Sequence, residues 1–372
     1  MPTSIRSDMA RGTLGEWGEF RLISEILIPT LEGSGASLSL GDDCSYLPIP
    51  GTQQCLVITC DAAPEPLVWT MGAESYFTFG WYSVVINASD LAAAGAKPLG
   101  ITSSVEAPSS LGVEQFRDFF SGMAAACKAF ELQNAGGNIR QAPRFECHGM
   151  AVGMTSTKVP LLTRKGCLPG DLLVAVGESG RFISAYLKAR RFGIDALEQR
   201  EHDALFLPKP QLREMIILKE AGLLHASSDN SDGVLGALWN IAERSNCGID
   251  LSLDIETIPG VVLEAAKQNG LDPWNLMFFW GDWQVIVAIP AAVIGEFERL
   301  AAAESIPFWH LGKAVQGPPS LSTVMRGKRS GVRLLRNENF TREAYNTHID
   351  AQVNYLLRTP IVMDELNETG GR

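Results

Sequence analysis

The chain has 372 residues, of which 46% are hydrophobic and 20% charged, with a formal net charge of -11. That length suffices for two domains with packed cores, and the ordinary globular usage excludes a disordered or fibrous protein. The acidic balance, without a Lys/Arg run or a basic face, argues against a nucleic-acid binder held by phosphate contacts. Seven cysteines, an odd number without a CxxC pair, argue against a disulfide framework, and five histidines without ligand spacing give no support for structural zinc. No apolar run approaches the length of a membrane span, and residues 1–15 are polar without a signal-peptide core, so a reducing cytoplasm is the expected compartment.

Residues 1–14 are expected to be a flexible lead-in. Phe20, Leu22, Ile23, Ile26 and Leu27 then fall near helical spacing, and Pro29 is expected to end that helix. Next come three short apolar runs, 36–40, 55–59 and 82–86, read as strands that each deliver carboxylates at or just beyond their last residue: Asp42-Asp43, Asp61 and Asp90. Like carboxylates gathered in one site cannot all ionise cheaply unless a cation sits between them. Oxygen donors without His or Cys point to magnesium shared with nucleotide phosphates. Taken alone, the Asp42-Asp43 pair after Gly41 is better read as a solvated turn.

Residues 62–75 carry two prolines and Trp69 and are long enough for a flap over a site, with plain packing of Trp69 against a helix equally open. Residues 83–98 are rich in Ala and Gly and read as a helix packed closely beside a site, where Asn87-Ala-Ser89-Asp90 suits an N-cap as well as a metal ligand set. A helix over 113–132 places Val113, Phe116, Phe120, Met123, Cys127 and Phe130 on one core face. Asn134-Ala-Gly-Gly-Asn138 is a Gly-Gly turn that either brings backbone N–H groups to a phosphate or only turns the chain. A strand over 145–154 follows, and the first domain should end near Thr155, before the polar link 156–169.

In the second half, 172–176 reads as a buried strand, 212–224 as a helix and 225–229 as a strand ending on Asp229. Ser231-Asp232-Gly233 opens a helix, where Asp232 is an ordinary partner for the helix dipole. Strands are expected over 251–255 and 283–289, and a helix over 291–303. In the tail from residue 339, Tyr345, Ile349, Val353 and Leu356 are spaced for a docked helix before Pro360, and 365–372 should be disordered. There is no GxxxxGK[ST], kinase catalytic loop, complete GxGxxG after a strand, or nucleophile elbow. Any nucleotide site must therefore be of the aspartate-and-metal type.

In chain order, Gly18-Glu-Phe-Arg-Leu-Ile23, Gly41-Asp-Asp-Cys44, Thr59-Cys-Asp61, Asn87-Ala-Ser-Asp-Leu-Ala-Ala-Ala-Gly-Ala-Lys-Pro98, Gly136-Gly-Asn138, Arg164-Lys-Gly-Cys-Leu-Pro-Gly-Asp171 and Asp229-Asn-Ser-Asp-Gly233 resemble bacterial thiamine-monophosphate kinase, over about residues 15–315. The resemblance implies a two-domain AIR synthase-like fold of α/β and α+β type. Its parts would be an N-terminal domain (15–155) whose strands form a barrel across a homodimer, a C-terminal α+β domain (156–335) and a helical tail (336–372). It also implies ATP held through aspartates and several Mg2+ ions. Asp43, Thr59, Asp61, Asp90, Asp229 and Asp232 would stand at the metal positions, and Gly137, Asn138, Arg164 and Ser231 at the ATP. Asp43, Asp61, Asp90 and Asn138 would occupy the catalytic positions.

The departures fall mainly on the substrate side. Asn138 stands where the kinase has an aspartate and Cys60 where it has a hydroxyl. Val68 replaces a histidine that meets the substrate, Gly281 replaces a substrate-contacting glutamate, and the aromatic C-terminal ending is not recognisable. Trp280 and Trp283 either stack on a substrate ring or pack between domains. The expected function is a cytoplasmic, magnesium-dependent, ATP-using phosphotransferase acting on a different small molecule, without nucleic-acid or membrane partners. An ATP-dependent ligase or cyclase is the alternative, and a nucleotide-binding subunit without turnover is the second.

Overall fold

The computed structural model describes residues 12–32, 39–325, 327–337 and 349–363. Alternating burial along β2 (Gln54–Ala62) and β5 (Glu146–Ser156) builds the first sheet, which also holds β1 (Ser45–Pro48), β3 (Lys97–Ala107) and β4 (Gln133–Gln141). Its order is β1-β2-β5-β3-β4, antiparallel except for the parallel β3/β4 pair. Cross-strand partners share a face. One face therefore carries the buried Val57, Ile101, Val105 and Ala151, and the other carries Leu47, Leu56, Ile58, Met150 and Val152, which are exposed or half-buried. Within one chain this sheet is open, with β1 and β4 at its edges.

The second sheet runs β12-β11-β8-β10-β6-β9-β7, from β6 (Leu172–Val176), β7 (Ala226–Asp229), β8 (Gly248–Leu251), β9 (Val285–Ile289), β10 (Phe308–Val315), β11 (Ser320–Met325) and β12 (Lys328–Gly331). β9 is buried at every position and reads as a continuous apolar run, as expected of a strand covered on both faces.

Between the two sheets lies the Tyr76–Ala93 helix, begun by Ser75, whose side chain accepts from the Thr78 N–H at 3.1 Å. Fifteen of its 18 residues are buried, so it is core on all sides rather than amphipathic. It is tied to the second half through Trp81 Nε1 donating to Pro208 O (2.7 Å), the Tyr82 hydroxyl donating to Leu205 O (2.9 Å) and Ser227 Oγ donating to Ala93 O (2.6 Å). It crosses the Val113–Ala129 helix at two glycines. A Cβ on Gly80 would lie 1.8 Å from Phe119 O, and one on Gly122 would lie 1.9 Å from Phe77 O.

Several expectations are corrected. Residues 82–86 are not a strand but the middle of this helix, because burial on every side overrides the β-branched Val84-Val85-Ile86 run. Asn87 and Asp90 are therefore interior, not caps. Pro29 does not stop the first helical stretch. A wide π turn over Ile23–Leu27, closed by the Ile28 N–H on Ile23 O, precedes a further turn, Ile28–Glu32, that contains the proline. Residues 62–75 are no free flap, since a 3-10 turn at Leu67–Met71 buries Leu67 and Val68 and stacks Trp69 against Tyr76 and Phe79.

Residues 134–138 lie inside strand β4 rather than in a turn, and the expected 251–255 strand is β8, ending at Leu251. On the Val113–Ala129 helix, Phe119 and Ala126 join Met123 and Cys127 in the core, while Val113 is exposed. The tail helix, Ile349–Arg358, does dock, with Val353 and Leu356 buried. Residues 1–11, 36–38, 339–348 with Tyr345, and 365–372 lie outside the described residues, and 39–44 form turns.

The helix crossing sets how deeply the Tyr76–Ala93 helix sits. Gly80→Val should cost about 3 kcal/mol or more, since the added side chain meets backbone that cannot retreat. A thermal melt should then fall by about 5 °C or more, and an unchanged melting temperature would contradict the tight crossing.

Candidate functional site

Four separate segments bring carboxylates to the junction of the two sheets. Asp42 and Asp43 lie in the turn before β1, Asp61 near the end of β2, Asp90 in the last turn of the Tyr76–Ala93 helix, and Asp229 at the end of β7. Asp232 follows in the loop leading into the Val234–Ser245 helix. The helix must be interior for Asp90 to arrive there, and the strand-end position of Asp229 follows from the length of β7.

These groups are held by named contacts. Thr59 Oγ1 donates to Asp90 Oδ2. Asp43 Oδ2 accepts from the Asp229 N–H at 3.3 Å, while its Oδ1 is ion-paired with Arg164 Nη2. Asp42 Oδ1 accepts from the Arg164 N–H at 2.7 Å. The Ser231 N–H donates to Asp229 Oδ2 at 3.1 Å, and the Asp61 N–H to Asn87 Oδ1 at 3.2 Å. Asn87 Nδ2 in turn donates to Ser83 O at 3.0 Å, which fixes its orientation.

Burial and mutual repulsion govern the electrostatics. Asp90 is held well above the usual carboxylate range, first by burial and then by the charges of Asp61, Asp229 and Asp43, against the hydrogen bond from Thr59. Asp229 is raised in the same way by burial and Asp43, with Arg164 opposing. Burial raises Asp61, with a hydrogen bond to Asp90 opposing. Asp232 is pushed up to about 7, by burial and then by Glu19 on the first helical stretch, with Arg164 and Arg336 opposing. Buried anions that raise one another's affinity for protons are equally disposed to take another cation, and an all-oxygen donor set suits a hard divalent ion. Among the described residues no three His, Cys, Asp or Glu side chains converge on one point as a closed ligand shell. Each ion would thus depend on one or two carboxylates plus oxygens from water and substrate, which is the usual habit of Mg2+.

Asp43, Thr59, Asp61, Asp90, Arg164, Asp229, Ser231 and Asp232 are brought together. Gly137 and Asn138 are not. Asn138 pairs with Ser104 on edge strand β4, exposed, three strands from β2 and so on the order of 14 Å across the sheet. By register it also faces the open side of the sheet, opposite to Thr59 and Asp61. Gly137 has a packing reason of its own, because a Cβ there would lie 1.9 Å from Ser103 O at the register shift between β3 and β4. Sequence reading missed Asn87 as a positioning group for Asp61, and Glu19 as a further acid at the site. The signal for Asn87 was an asparagine inside an otherwise apolar helix.

Beside Asp232 lies a narrow recess. Phe278, Phe279 and Trp280 form one wall, and Leu335, Leu356 and Ile361 from the end of the chain form another.

The sequence matches the family models "AIR synthase related protein, N-terminal domain" over residues 41–155 and "AIR synthase related protein, C-terminal domain" over residues 169–322. It is 31% identical to the thiamine-monophosphate kinase of Methanospirillum hungatei over 68% of this chain and 85% of that one. It is 27% identical to that of Corynebacterium glutamicum over 76% and 83%. Among solved structures, AaThiL complexed with AMPPCP and TMP aligns at a TM-score of 0.71 with 22% identity, covering 89% of this chain and all of that one. The hydrogenase maturation protein HypE in complex with ATP aligns at a TM-score of 0.60 with 18% identity, over 88% of this chain and 98% of that one. Both structural likenesses concern the fold.

One buried acid near the recess gives a pH-dependent readout. Asp282 Oδ1 accepts from the Phe182 N–H at 2.7 Å and so caps the Arg181–Phe192 helix, while its Oδ2 is buried without a partner. Burial pushes its carboxyl up from 3.8 to about 7, against backbone hydrogen bonds. The folded chain thus binds this proton more tightly than the unfolded one. Its stabilising contribution is complete below about pH 4 and is lost as pH rises through 7. Asp282→Asn keeps the acceptor and removes the charge, so the variant should be more stable than the parent at pH 8, by up to about 4 kcal/mol. The gap should close toward pH 4, and parallel pH profiles would contradict the assignment.

Proposed function

The chain belongs to the AIR synthase related family and is a thiamine-monophosphate-kinase-like member of it. From that footing we propose a magnesium-dependent, ATP-using phosphotransferase that acts on a different small molecule. The observation that carries this reading is the convergence of buried carboxylates from four chain segments, three of them in the first half of the chain and one at the end of β7 in the second sheet, on a site with no nucleophile elbow or P-loop.

In this reading Asp43, Asp61, Asp90, Asp229 and Asp232 hold the metal, with Thr59 and Asn87 fixing Asp90 and Asp61 in place. Bound Mg2+ supplies neutralisation of the phosphate charge that builds up during transfer. Arg164 and the backbone of Ser231 lie beside the carboxylates and orient the phosphates. Transfer is then direct and in line to the acceptor, so the protein contributes position and charge rather than a covalent step. The junction between the sheets keeps water from the reacting atoms, because the Tyr76–Ala93 helix fills it.

A different acceptor is supported by side chains on the substrate half. Val68, where the kinase carries a histidine, is fully buried at 0% exposure and offers no hydrogen bond. Gly281, where the kinase carries a glutamate, has φ 103° and a Cβ there would lie 2.3 Å from Phe182 Cδ1, so no acidic side chain fits. A site that loses both polar partners loses its discrimination for that substrate. Leu335, Leu356 and Ile361 from the end of the chain also line the narrow recess beside Asp232.

A homodimer belongs to the same proposal. The uncovered face of the first sheet, with Leu47 and Met150 at 47% and 42% exposure, is apolar across three strands and suits a second copy of the same sheet.

Two measurements check these claims. Asp90→Asn and Asp229→Asn should each keep the fold but weaken calorimetric binding of MgATP by about tenfold or more, and thiamine monophosphate should support little ADP release in the parent. Affinities equal to the parent's in both variants, or efficient turnover of thiamine monophosphate, would remove the reading. In sedimentation velocity the parent should run as a dimer and Met150→Glu as a monomer. A parent that stays monomeric at high concentration would contradict the interface.

A further inference from the structure

Asp43 already has a cation. Its Oδ1 is ion-paired with Arg164 Nη2 by charge alone, without an aligned hydrogen bond, and its Oδ2 takes the Asp229 N–H at 3.3 Å. A divalent ion that takes Asp43 Oδ1 as a ligand competes with the guanidinium for that oxygen, since two cations held on one carboxylate oxygen repel. The Arg164 backbone, by contrast, is pinned. Its N–H donates to Asp42 Oδ1 at 2.7 Å and its C=O accepts from Ser245 Oγ at 3.3 Å, while the neighbouring Thr163 C=O accepts from the Ser227 N–H at 3.0 Å. Only the side chain is free to turn.

The guanidinium is also incompletely satisfied. Nη1 reaches Gly41 O only at 3.4 Å, and Nε is buried without an acceptor. A guanidinium has five donors in a planar fork that matches phosphate oxygens. A triphosphate entering beside it offers more acceptors than Asp43 does, and charge-assisted pairs of that kind are strong.

We propose that Arg164 is the resident counter-ion of the site and gates its metal, holding Asp43 until phosphate oxygens take the guanidinium, so that divalent ion and nucleotide load together. This rests on the nucleotide reading above and adds the order in which the site is filled. The handover is a side-chain rotation within a fixed backbone, and no segment has to move. Binding is therefore coupled: nucleotide frees a carboxylate for the metal, and by linkage metal raises nucleotide affinity by the same factor.

The test uses the full chain with Mn2+ as the probe, free ion being followed by electron paramagnetic resonance, with and without the non-hydrolysable analogue AMP-PNP. In the parent, AMP-PNP should tighten Mn2+ binding by about tenfold or more. In Arg164→Met, Mn2+ alone should bind about tenfold tighter than to the parent, with the coupling reduced. Arg164→Lys, which keeps the charge without the fork, should fall between the two and guards against a Met variant that misfolds. Mn2+ binding to the parent that is equally tight with and without AMP-PNP would overturn the gate, as would unchanged Mn2+ affinity in both folded variants. If neither Mn2+ nor AMP-PNP binds the parent, the nucleotide reading itself falls, and the gate with it.

Discussion

Repulsion among buried carboxylates is the constraint on which this molecule turns. Asp43, Asp61, Asp90 and Asp229 come from different segments, and burial together with one another's charge raises the last three above the usual carboxylate range. Folding them together is unfavourable by itself, and what holds them is the surrounding packing. The Tyr76–Ala93 helix, buried on almost every side and clamped at Gly80 and Gly122, leaves Asp90 no route to solvent. Hydrogen bonds from Thr59 to Asp90, from the Asp229 N–H to Asp43 and from the Asp61 N–H to Asn87 Oδ1 fix the rest. Buried anions gathered at such expense are disposed to receive a cation, and it is on this junction that the proposed chemistry rests.

The site was more legible in the sequence than the segments that build it. The aspartates stood out by type and by their place in collinear motifs, and those groups do meet in space. The elements around Asp90 were misread because Val84-Val85-Ile86 has the composition of a strand, and only burial from two sheets at once makes a helix of it. Pro29 misled for a local reason, since a π turn before it absorbs the missing N–H. Asn138 was placed by motif alone. Register shows it on the far face of an edge strand, information that no spacing rule carries. Asn87 was seen as a cap and proved to be a brace, a distinction that depends on knowing whether the helix starts there or about three turns earlier, at Tyr76.

On the acceptor side of the proposed reading, Val68 is enclosed by the core and the space beside Gly281 is filled by Phe182. The Val332 backbone bridges to Val362, the Arg333 N–H donates to Ile361 O at 2.7 Å, and Asn275 Nδ2 donates to Leu356 O at 2.6 Å, so the last helix is fixed over the recess beside Asp232.

Diffraction from crystals grown with Mn2+ and a non-hydrolysable ATP analogue, recorded at the manganese absorption edge, tests the central claim most directly. Anomalous peaks within ligand distance of Asp90 and Asp229, with phosphate oxygens completing the shell, are the expected result. Peaks elsewhere on the molecule, with these carboxylates free of metal while the analogue is bound, would contradict it.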